Sequence, residues 1–219
     1  MLKRVGVVLA AVAAVAIAIP VIAQNMRLPQ MRGVWNPAVG AGAIYERTDT
    51  DKTKKQFTAE IIGKENVNGA TGYWMEYGFE DRGQQNWAQM LLAVNGDVMH
   101  VEKVVFELPG RGAFIFPPAM MAGRGMDTNP KSTIADDAKK VGSESVTTPA
   151  GSFDCDHWKG NDGKWDAWIS PKVQPWGLVK LTESDGTSTV VVKTISDAKS
   201  HITETPQVFD PSMFGRRGE

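Results

Sequence analysis

Disulfide chemistry is excluded within the chain, because Cys155 is the sole cysteine among 219 residues. Histidine is almost as scarce, with three: His100, His157 and His201. They form no H-x-x-x-H or H-E-x-x-H spacing, and no C-x-x-C exists, so no metal motif is present and no cofactor is expected. Neither sign of charge dominates. Twenty-four Lys and Arg face 25 Asp and Glu, a net of -1, which leaves no electrostatic case for nucleic acid. Hydrophobic residues at 42% and charged residues at 22% exclude a disordered chain. Beyond residue 22 there is no long apolar run, no extended helical period and no internal repeat, which excludes a polytopic membrane protein.

What is present begins with an address. Met1-Leu2-Lys3-Arg4 precedes an apolar stretch from Val5 to Ile22, with a small-residue exit at Val21-Ile22-Ala23. That order predicts a signal peptide over 1–23, cleaved after Ala23, and a periplasmic or secreted product with no permanent membrane span. A retained anchor is the alternative, since the run is marginal for spanning. Lys3 and Arg4 are the only charges removed, so 22 bases remain against 25 acids, a net of -3. No cysteine follows the exit, so lipid attachment there is unavailable. In an oxidising compartment the fold must then rest on core packing, which a chain of this size supports.

The body alternates with period two. Residues 24–42, rich in Gly and Pro, read as a flexible lead-in. Phe57, Ala59 and Ile61 share one side of a strand, with Thr58 and Glu60 on the wet side. Tyr73, Met75, Tyr77 and Phe79 share a face of the next, with Glu76 and Glu80 opposite. Asn68-Gly69 joins the two, and Asn95-Gly96 ends a third run. Val98–Leu108, Ser143–Thr148, Ser152–Lys159, Lys164–Ser170, Gly177–Glu183 and Ser188–Ser196 add strands, and Phe114–Phe116 adds an apolar stub. Pro117 to about Lys140 breaks the rhythm and predicts an irregular loop with one short helical turn, an insertion or lid. Asp210-Pro211 is suited to start a short terminal helix before a frayed 215–219. The expected fold is mainly β: a single strongly curved antiparallel sheet of about ten strands over 43–214.

Two stretches carry a resemblance. "TPAGSFDCDHW" (Thr148–Trp158) and "DAWISPKVQPWGLVKL" (Asp166–Leu181), with "IIGKENVNGATGYWMEY" (Ile61–Tyr77), resemble exported bacterial proteins of unknown function with curved half-barrel sheets. That group looks like the lipoprotein-carrier fold of LolA and LolB. The resemblance spans roughly residues 40–200 and implies a concave apolar surface able to hold acyl chains.

Few residues suggest chemistry. Cys155 and His157 fall on the same side of a regular strand, yet i and i+2 stand about 7 Å apart, and a packed, inert cysteine is the plainer reading. Asp154, Asp156, Asp162 and Asp166 surround a Gly turn, which ordinary hairpin chemistry explains without calcium. Met99, Met120, Met121 and Met126 fit apolar packing better than soft copper ligation. The seven Trp residues are the stronger signal, each able to bury a large area. The expectation is a non-enzymatic protein, without catalytic residues, that binds a lipid or other apolar ligand. The candidate ligand-binding residues are Trp74, Tyr77, Trp87, Phe106, Phe116, Met120, Met121 and Trp165. The alternatives are an envelope assembly module contacting protein through exposed aromatics, and, less favoured, a Cys/His hydrolase.

Overall fold

The computed structural model describes residues 32–81, 83–108, 112–122, 129–134 and 136–210, with the side chains of Asp81, Leu108 and Met121 outside that description. The signal segment, Met126 and the helix expected at Pro211 fall outside it. Among the described residues no helix is long and apolar enough to cross a membrane.

Six strands run out from the middle of one sheet: β1 (Gly42–Thr48), β2 (Lys54–Val67), β3 (Ala70–Asp81), β4 (Gln84–Asn95), β5 (Val98–Leu108) and β6 (Gly112–Phe116). A crossover containing the helix α1 (Pro118–Ala122) carries the chain to the opposite edge. Five strands then run back inward: β7 (Ala138–Thr148), β8 (Gly151–Gly160), β9 (Trp165–Ile169), β10 (Leu178–Glu183) and β11 (Ser188–Ile195). β11 docks on β1, so the two meanders meet at the centre. The two-residue β12 (Gln207–Val208) completes a 12-stranded open sheet by pairing parallel to β6. The sheet is strongly curved at its second half, where β7 returns to within 8 Å of β11 between Cα atoms.

The β2–β3 hairpin follows its turn chemistry. Asn68 and Gly69 both take positive φ, 51° and 89°, as a two-residue β-turn between twisted strands requires. Two features depart from expectation. β7 begins at Ala138 rather than Ser143, and the sheet gains β12, whose two residues carry too little pattern to be read.

One face of the sheet carries the main core. Tyr45, Phe57, Tyr77 and Phe79 form a ring ladder across β1, β2 and β3, with centroids 5.0–5.6 Å apart. Met75, Met90, Met99 and Val104 continue it, and Trp165, Ala167 and Leu181 extend it through the second meander. At one end three irregular segments close over this inner face. Trp35 packs on Trp176 at 4.8 Å. The Val34 N–H donates to the Trp176 carbonyl, the Trp35 N–H to Ser132, and the Asn36 N–H to Pro175, all at 2.7–2.9 Å. Residues 32–41, without a regular strand or helix, are thus held by backbone hydrogen bonds.

The outer face is covered too. After β11 the chain runs as a strap over β1–β6. The Ala198 N–H donates to Gly40, Ile202 packs with Val105 and Ala113, and the Phe209 N–H donates to Ile115. Phe209 then rounds the edge and stacks on Phe116 of the inner face at 4.5 Å.

Candidate functional site

The eight candidate ligand-binding residues separate into three places. Tyr77 and Trp165 are buried deep in the inner-face core. Phe106 and Phe116 belong to the same core at the β5–β6 end, where Phe114 and Phe209 complete an aromatic group. Met120, on α1 beside them, is 39% exposed, while the side chain of Met121 lies outside the description. Trp74 and Trp87 lie on the outer face, against the strap. The Trp74 Nε1–H donates to Glu65 at 3.0 Å, and Lys103 pairs with the same carboxylate at 2.7 Å.

Cys155 and His157 both lie on β8. Cys155 is buried and donates to the Phe153 carbonyl. His157 makes its contacts elsewhere. Its ring stacks on outward-facing Trp168 at 4.5 Å, and Nε2 lies 2.8 Å from Asp166. The register of the β7–β8 pair slips between Lys140 and Gly142. Trp158 pairs with Ala167 and packs against the core. Cys155 and His157 therefore form no nucleophile pair. Burial, reinforced by Asp154, pushes the Cys155 thiol up to about 11. Its reaction with a disulfide reagent at pH 8 is expected to run roughly a hundredfold slower in the folded protein than in denaturant, because so little thiolate forms. Of the acids near the β8–β9 turn, Asp162 does turn work, accepting from the Lys164 N–H at 3.0 Å, while Asp166 faces His157 and Asp156 pairs with Lys140.

Comparison with known proteins finds no matching family model and no matching curated protein. Two solved structures are similar to the chain. One is a proposed lipoprotein from Parabacteroides distasonis ATCC 8503, with a TM-score of 0.38 and 14% identity, covering 74% of this chain and 98% of that one. The other is a proposed exported protein with a YmcC-like fold from Bacteroides fragilis NCTC 9343, with a TM-score of 0.38 and 13% identity, covering 74% and 99%. At that level of superposition the likeness carries no information about what this chain binds.

The most concentrated polar chemistry lies where the sequence predicts only wet surface. Glu60 and Glu76 are directly paired across β2 and β3, and the strap covers them to 2% and 0% exposure. Glu76 is well supplied with donors. Gln89 Nε2 donates to it at 2.8 Å, the His201 backbone N–H reaches both oxygens at 3.0–3.1 Å, and His201 Nδ1 lies 2.6 Å from Oε2. Glu60 is not. Its Oε1 lies 3.2 Å from the same Nδ1, but that nitrogen has one proton and Glu76 stands closer, so Oε1 is buried without a hydrogen bond. Burial pushes the Glu60 carboxyl up to about 7; His201 opposes this, and Glu76 and Asp197 add to it.

The imidazole is held in place by its neighbours. Trp87 stacks on His201 with centroids 3.6 Å apart and planes 3° from parallel. Trp87 lies flat because Gly78, its register partner, has no side chain. A Cβ there would come within 2.3 Å of the indole. Sequence reading put Glu60 and Glu76 on the correct face and missed them as a site, because nothing in the alternation announces a strap.

Proposed function

We propose that this chain is an exported, non-enzymatic protein that binds an apolar ligand at the β5–β6 end of its inner face. The observation that carries the reading is the aromatic group Phe106, Phe114, Phe116 and Phe209, which among the described residues lies beside two short elements. Those elements are the five-residue helix α1 and the two-residue edge strand β12. Met120 at 39% exposure and Val208 at 68% place apolar surface beside it, open to solvent. Elements so short open at low cost, which suits entry of a flexible chain. An acyl chain, the cargo class expected of a LolA-like sheet, fits an aromatic and Met-lined site. Separation of Cys155 from His157 favours binding over hydrolysis.

The test is titration of the purified protein with a fluorescent fatty acid, together with lipid extraction from protein taken from its host. Saturable uptake is expected. Met120→Lys, a change at an exposed position, is expected to weaken it by about tenfold, roughly 1.4 kcal/mol, with the melting temperature unchanged. A wild-type protein that extracts free of lipid and takes up none would remove the proposal.

A further inference from the structure

The outer face carries a second candidate site, independent of any apolar ligand. We propose that Glu60, Glu76 and His201 bind a first-row divalent cation of the Zn2+ class, which fastens the 196–205 strap to β2, β3 and β4.

The geometry supplies the ligands. One oxygen from each carboxylate and one ring nitrogen lie within 4.8 Å of one another. Atoms bound to one Zn2+ at about 2.0–2.2 Å stand roughly 3–3.5 Å apart. The His201 to Glu60 distance, 3.2 Å, already matches. The His201 to Glu76 distance, 2.6 Å, needs to open by less than about 1 Å once a cation replaces the shared proton.

Charge gives the reason for a cation. Two adjacent carboxylates, each almost fully withdrawn from water, are costly unless compensated. Among the described residues their ion-pair partner is His201 alone, and Asp197 adds further negative field. With both carboxylates ionised, even a charged imidazole leaves the pair one positive charge short, whereas a divalent ion neutralises it. Glu60 Oε1, buried and without a donor, is the atom such an ion would satisfy.

The surroundings are those of a ligand set held in position. Gln89 and the His201 N–H fix Glu76, and Trp87 fixes the imidazole plane. The His201 side chain is 45% exposed, which leaves a path from solvent. The imidazole selects the cation class, because Ca2+ and Mg2+ prefer oxygen alone.

The test is calorimetric titration of EDTA-dialysed protein with ZnCl2 at pH 7.5, with thermal scans in parallel. One ion per chain is expected, with a melting temperature that climbs with free Zn2+. His201→Ala and Glu60→Gln should each lower affinity by about a hundredfold, and Gln89→Ala by about tenfold. His157→Ala should leave affinity unchanged. Circular dichroism keeps a folding failure distinct, and His201→Ala removes only a half-exposed ring. Binding weaker than about 1 mM in the wild type, a range of roughly 4 kcal/mol, would overturn the proposal. So would binding that survives His201→Ala, or that is lost in His157→Ala instead.

Discussion

Trp176→Ala is expected to lower the melting temperature by roughly 10 °C. The indole is buried and packs on Trp35 beneath the point where three irregular segments cross. Its Nε1 makes no hydrogen bond, so the loss is one of packing alone. Removing a buried Trp leaves a cavity that rigid neighbours fill poorly, at about 3–5 kcal/mol. In a domain of this size each kcal/mol shifts the midpoint by about 2–4 °C. Trp168→Ala is the comparison. That ring lies half-buried on the outer face, between His157 and the Lys180 ammonium, and its loss is expected to cost well under half as much. Equal midpoints for the two variants would show that the Trp35–Trp176 contact does not hold this end closed.

Glu60→Gln is expected to flatten a pH dependence that runs opposite to ordinary acid denaturation. The Glu60 carboxyl is raised from 4.5 to about 7 in the folded chain, so between those values the native state holds a proton that the unfolded state has released. Its stabilising effect is therefore complete below about pH 4.5 and disappears as pH rises through about 7. At 1.36 kcal/mol per unit, the loss across that window is about 3 kcal/mol. Denaturant unfolding with EDTA present, at half-unit steps from pH 4.5 to 7.5, measures it. Wild-type stability should decline toward neutrality, and the Gln variant should decline less by about that amount. Identical slopes would mean that the carboxyl is not withdrawn from water.

Much of the sheet was legible because period-two alternation and turn residues are local. Asn68-Gly69 alone sets the β2–β3 hairpin, and Val98–Leu108 is a strand as read. What escaped depends in part on a slip in register. Counting outward from Asn68-Gly69 pairs Glu65 with Gly72 and Lys64 with Tyr73, as observed. Continued without interruption, the same count would set Glu60 against Tyr77. A bulge between Ile61 and Gly63 moves Glu60 one place along, opposite Glu76. The burial of the carboxylate pair was also hidden, because the covering strap arrives from more than a hundred residues downstream. The aromatics are the dominant signal, and Trp74 falls opposite Tyr77 by plain alternation on β3, but nothing in the pattern shows that the strap covers the Trp74 side.

The central position of β1 has a consequence for assembly. Gly42 pairs with Ile195, and Thr48 with Ser188, so the ladder joining the two meanders unites the first strand to the last long one. A chain emerging from its N-terminus can form β1–β6 at once from sequential hairpins. Until β11 arrives, though, that half-sheet exposes a bare β1 edge of unpaired amides and carbonyls. Such an edge invites pairing with a second nascent copy. Slow arrival of residues 188–195 is therefore the step at which this chain is most vulnerable to aggregation, and a chaperone that shields Gly42–Thr48 would protect it best.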